Sequence, residues 1–119
     1  VPSEDEMNLL MKEFGDNPFI GYWHDFGHIQ RKHNLLILNH EQFLRRMSSH
    51  LIGGHVNDVK WPARDHQVPL LGGVVPFERL LPFFPHGVPL VWELSSRVSS
   101  EDIRAARKLW MEKFPQTLA

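Results

Sequence analysis

Apolar positions along this chain alternate between two spacings. Met7, Leu10, Met11 and Phe14 fall three and four residues apart behind Ser3 and Glu6, a helical spacing opened by a capping box. Gly15 closes that helix and "DNP" turns the chain. "FIGYW" (Phe19 to Trp23) is a short unbroken apolar and aromatic run that reads as a buried strand. Asn39 with Gln42 caps a second helix carrying Phe43, Leu44 and Met47, and "LIGGHVNDV" follows as a second strand. Its two glycines signal close backbone packing or a bulge. Residues 60–75 read as a loop. Pro76 suits the first turn of a third helix with Phe77, Leu80, Leu81 and Phe84. "GVPLVWEL" is a third strand, apolar until Glu93, and a fourth helix opens at Ser99 or Ser100 with Ile103, Ala106, Trp110 and Phe114 on one face.

The order is α-β-α-β-α-β-α, with strands beginning near residues 19, 51 and 88, a repeat of 32 and then 37 residues. Near-continuous apolar strands between amphipathic helices imply an α/β fold whose parallel sheet is covered by helices. Neither common glycine-rich phosphate loop is present, which argues against a nucleotide-binding open sheet.

Composition narrows the partners. The 119 residues suffice for one modest domain. With 13 basic and 14 acidic side chains there is no electrostatic footprint for nucleic acid or a membrane surface. No apolar run approaches a membrane span and the start "VPSEDEMN" is acidic, so a cytoplasmic protein is expected. Without cysteine, disulfides, thiolate metal sites and a Cys nucleophile are excluded. Eight histidines suit a site of nitrogen and oxygen ligands, provided they converge.

In a parallel α/β fold, side chains at the carboxyl ends of strands line the site. Here the first strand ends in His24, Asp25 and His28, the second in His55, Asn57 and Asp58, and the third in Glu93. Singly, each has a structural reading: Asp25 as a turn cap, His28 and His55 as satisfied loop histidines, Glu93 as half of an internal salt bridge. Jointly, acids and imidazoles confined to one end of three apolar strands favour a site, because burying charge is costly unless it is paired or metal-bound. His24 alternates with Asp25 and is expected to face the helices. His33, His40, His50 and His86 are expected at the surface, and Trp23 and Trp92 against helices. Arg64, Asp65 and His66 stand beyond the second strand, where a lid or substrate contact would lie.

Four motifs in this order, "HDFGH", "GGHVND", "DHQVPLLGG" with "VPF", and "VWEL", resemble the xylose isomerase-like TIM-barrel superfamily of sugar and sugar-phosphate isomerases and epimerases, which also holds endonuclease IV. The resemblance runs from about Ser3 to Phe114. It implies that residues 1–119 form a single partial domain, the last three β/α units of a (β/α)8 barrel that needs about 250 residues. It assigns Asp25, His55 and Glu93 to a divalent metal ion (Mn, Mg, Co or Zn), with Glu93 also the catalytic acid/base, and His28 and His66 to substrate; Asp58 at the second strand's end and Arg64 in the loop beyond it are read as further substrate contacts from their positions. The family's further metal-binding glutamate lies on a strand before the first helix and has no counterpart here. The implied function is metal-dependent isomerisation or epimerisation of a sugar or sugar phosphate through a metal-stabilised enediolate. The alternatives are phosphodiester hydrolysis of the endonuclease IV type, or a non-catalytic α/β module or assembly subunit. Arg64 stands where the endonuclease pattern has an acid, which weighs against hydrolysis and against a nucleic-acid partner. The isolated chain is expected to be inactive, and to associate with a missing N-terminal half-barrel or with itself.

Overall fold

A computed structural model describes residues 3–117, and it is an α/β fold built on a three-stranded parallel sheet with five helices. Helix α1 spans Glu4–Phe14, with Ser3 and Glu6 forming the expected capping box. Strand β1 is Tyr22–Asp25, β2 is Leu51–Val56 and β5 is Leu90–Trp92. The sheet order is β1-β2-β5, with β2 parallel to both neighbours. Helices α2 (Phe26–Asn34) and α3 (His40–Met47) connect β1 to β2. An antiparallel hairpin, β3 (Asp58–Lys60) and β4 (Arg64–Gln67), follows β2, and the short α4 (Phe77–Leu80) leads to β5. Helix α5, Ser100–Lys113, is capped by Ser99, whose hydroxyl accepts from Asp102 N. Among the described residues no helix is long and apolar enough to cross a membrane.

Four expectations need correction. The first strand starts at Tyr22, not Phe19, because Asn17 turns the chain further than "DNP" suggests: its Oδ1 accepts from Phe19 N at 2.9 Å. Phe19 is left 95% exposed. A helix, α2, fills what read as the approach to Asn39; it starts without a loop because Asp25 caps it, Oδ1 accepting from His28 N at 2.9 Å. The presumed loop 60–75 begins at the end of β3 and contains β4, the second strand of a hairpin. The third helix is one α-turn followed by a 3-10 turn, Leu81–Phe83, since Pro82 has no N–H to continue it.

Strand alternation, interrupted by a register irregularity where Tyr22 pairs with Leu51 and Trp23 with Gly53, divides the sheet into two faces. Tyr22, Leu51 and Val56 join Phe26, Phe43, Leu44, Met47, Phe77, Leu80 and Trp110 in the core beneath the helices. Trp92 packs edge-on to Trp110, as expected of it. Trp23 does not meet the helices. Its ring lies over Gly53, where a Cβ would collide with it, so the glycine makes room for the indole. Trp23, Ile52 and Val91 remain 37%, 54% and 48% exposed and give the second sheet face an apolar surface.

Candidate metal centre

Register aligns the strand ends. Asp25 pairs with His55 across β1 and β2, and Glu93 N donates to Val56 O at 3.1 Å, carrying the β2–β5 ladder one residue past β5. By alternation Asp25, His55 and Glu93 all leave the sheet on the same face as Trp23 and Val91, at its carboxyl end. His55 Nδ1 stands 3.3 Å from Glu93 Oε2 and 3.8 Å from Asp25 Oδ2. One ligand atom from each of the three lies within 4.8 Å of the others.

Asp25, His55 and Glu93 are the residues that could hold a divalent cation. Two ligand atoms about 2.1 Å from one ion, at angles of about 90–110°, stand about 3.0–3.4 Å apart. The His55–Glu93 separation is already of that size, the His55–Asp25 separation is a few tenths of an ångström wider, and the whole group lies within 4.8 Å, so the side chains would draw together around an ion. Two carboxylates with one imidazole suit Mn²⁺, Mg²⁺, Co²⁺ or Zn²⁺.

Two more histidines close around the triad. His28, in the first turn of α2, places Nδ1 3.6 Å from Asp25 Oδ2. His66 on β4 places Nε2 3.9 Å from Glu93 Oε2 and Nδ1 3.4 Å from Asp65. The hydrogen bond from His66 holds the Asp65 carboxyl below its ordinary range. The His28 and His66 rings meet edge to face, centroids 5.3 Å apart. His66 adopts φ +51°, a left-handed conformation that is uncommon for a residue with a side chain and costs on the order of 1 kcal/mol. The structure thus brings together Asp25, His28, His55, His66 and Glu93.

Asp58 and Arg64 are placed elsewhere. Contrary to the expected substrate contact, Asp58 is 1% exposed and its Oδ1 accepts from Val59 N at 2.8 Å and Val75 N at 2.9 Å. It ties β3 to the segment before α4. Burial raises its pKa, and those same backbone donors oppose the rise. Arg64 opens β4 and lines a neighbouring groove with Asp65, Gln67, Ser95 and Arg97.

Asn57 does work that its place in "GGHVND" did not reveal. Buried at the end of β2, it donates from Nδ2 to Asp25 Oδ2 (3.4 Å) and accepts Gly27 N on Oδ1 (2.8 Å). One amide therefore fixes both the Asp25 oxygen that faces His55 and the start of α2. His24 faces the helices as expected, but His40, expected at the surface, is buried against it. Tyr22 OH, His24, His40 and Gln30 form a hydrogen-bonded row, with contacts of 2.9, 2.9 and 2.7 Å. Gln30 Oε1 can only accept, so His40 Nδ1 carries its proton. A neutral His40 then accepts at Nε2 from His24 Nε2–H, and His24 Nδ1 accepts from Tyr22. Burial drives this neutral arrangement. It lowers the His24 pKa well below its ordinary value, lowers that of His40 to about 3, and raises that of the Tyr22 phenol.

Compared with protein-family models and with curated protein sequences, the chain matches none.

Proposed function

We propose that this chain is the C-terminal part of a (β/α)8 barrel whose Asp25–His55–Glu93 cluster holds a divalent cation for isomerisation or epimerisation of a sugar or sugar phosphate. The observation that carries the reading is convergence: three residues from three separate strands meet within 4.8 Å at the carboxyl end of a parallel sheet. Asp25, His55 and Glu93 would hold the cation, which would supply positive charge to stabilise a developing enediolate.

The protein groups supply the rest. Glu93 is the acid/base: its contacts to His55 and His66 are both made by Oε2, which leaves Oε1 to take and return a carbon-bound proton. His28 and His66 flank the cluster and offer ring N–H groups to substrate oxygens. Trp23 provides an apolar floor beside His55, ring centroids 5.4 Å apart. All-parallel sheets are stable with both faces covered, and the Trp23–Ile52–Val91 face is open. On this reading the missing half-barrel, or a second copy of the chain, covers it and brings a fourth ligand.

One observation favours a second reading, hydrolysis of the endonuclease IV type. His28 lies 3.6 Å from Asp25 Oδ2 and His66 3.9 Å from Glu93 Oε2, so each carboxylate oxygen that faces His55 has a second imidazole beside it, a donor set for a further ion.

The test combines Mn²⁺ titration of the chain with ketose–aldose turnover by the barrel completed with its upstream half. Glu93→Gln is expected to lower turnover by about 100-fold or more with the fold intact. Unchanged turnover in Glu93→Gln or His55→Ala would sink the isomerase reading. Cleavage of abasic DNA without sugar turnover would promote the hydrolase, and absence of Mn²⁺ binding would leave a non-catalytic module.

A further inference from the structure

Beside the candidate metal centre lies a basic groove. Lys60 at the end of β3 and Arg64 at the start of β4 are direct partners across the hairpin. Like charges opposite one another in an antiparallel pair are destabilising. Arg97, in the turn before α5, joins them: adjoining grooves of 480 and 500 Å³ share Arg64, Gln67 and Arg97 in their walls, and Lys60 lines the second. Among the described residues the arginine ion pairs are those of Arg45, Arg46 and Arg79. Lys60, Arg64 and Arg97 enter none. Two acids share these walls, Asp65, whose carboxylate His66 hydrogen-bonds, and Asp102, so the three cations outnumber the acids by one.

We propose that Arg64 and Arg97, with Lys60, bind a phosphate monoester, so that the ligand reaching the metal centre is a phosphorylated one; this rests on the sugar isomerase reading above. Two guanidinium forks in one groove match the oxygens of a phosphate. A phosphate offers three oxygens to the N–H donors of two guanidinium groups, where a carboxylate offers two. The groove is also within reach of the same small molecule. Arg64 is two residues before His66, about 7 Å along a strand. Ser95 N donates to His66 O at 2.8 Å, which ties the Arg97 turn to the same histidine. One wall thus carries both the contact to Glu93 and the anion-binding side chains.

The probe is inorganic phosphate, titrated into the whole chain at low ionic strength with chelator present and followed by amide NMR shifts. Saturable binding is expected, weakened about tenfold by Arg64→Gln and by Arg97→Gln and unaffected by Lys108→Gln, an exposed cation outside the groove, with acetate at the same concentration giving no comparable shift. Both arginines are exposed, so neither change threatens the fold. Non-saturable shifts, affinity unchanged in both arginine variants, or equal binding of acetate would overturn the proposal. A parallel Mn²⁺ titration separates the two readings. Phosphate binding without Mn²⁺ binding keeps the anion site and removes the isomerase. Mn²⁺ binding without phosphate binding keeps the isomerase and assigns it an unphosphorylated sugar.

Discussion

Acidification from pH 7 to pH 5 is predicted to destabilise the chain through the buried His24–His40 pair. Both rings are held neutral, and His40 has a folded-state pKa of about 3 against an unfolded value of 6.5. The sign follows from linkage. A group whose pKa is depressed by folding binds fewer protons in the fold, so its contribution is complete above the unfolded pKa and shrinks as pH falls below it. The loss continues until the folded pKa is reached, a window from about pH 6.5 to about pH 3. Between pH 7 and pH 5 His40 alone removes about 2 kcal/mol, and His24, shifted the same way by deeper burial, adds to it. Phe26, Phe43 and Phe84 surround His24, and His33 faces His40 with Nδ1 accepting from its backbone N–H, so no carboxylate among these neighbours would compensate a buried imidazolium. In urea, with a slope of about 1.5 kcal/mol per molar, the midpoint should fall by about 1–2 M. His40→Phe would lose stability at pH 7, since it strands Gln30 Oε1 and His24 Nε2–H, but should show a flatter pH dependence. The His40 ring resonances should not titrate above about pH 4. A His40 midpoint near 6.5, or an equal pH dependence in His40→Phe, would refute the assignment of tautomers and of burial as its cause.

Asp58→Ala strands two buried amide donors, Val59 N and Val75 N, and is expected to cost about 2–5 kcal/mol in urea unfolding, whereas Asp58→Asn keeps an acceptor and should cost less than half as much. Equal losses in the two variants would show that charge, not hydrogen bonding, anchors the segment. Asn57→Ala frees the Asp25 carboxylate and the start of α2, and should weaken Mn²⁺ binding by about 10–100-fold in calorimetric titration; unchanged affinity would remove Asn57 from any positioning role.

The parallel α/β plan was legible because it rests on local patterns: the Ser3 and Ser99 caps, the apolar runs before Asp25, His55 and Glu93, and the helical spacing between them. What local pattern could not show was set by contacts across the fold. His40 reads as a polar helix start, and its burial depends on His24 being sixteen residues away and facing it at 2.9 Å. Asp58 reads as a strand-end ligand next to His55, and only the return of the chain at Val75 turns it inward. Trp23 reads as a helix contact until Gly53 makes room for its ring on the other face. Asp25 is the most instructive position, because cap and ligand are opposed readings in one dimension and compatible in three. Oδ1 caps α2 through His28 N, while Oδ2 faces His28 Nδ1, His55 and Asn57. Using one oxygen for the cap fixes the carboxylate's rotation and so aims the other at the cluster, without a loop between strand and helix to blur the geometry. That same cap delivers His28 to the cluster, since a residue three positions past an N-cap lies in the first turn with its ring directed back over the strand end. The helix that periodicity missed therefore helps turn a polar strand end into a candidate metal centre.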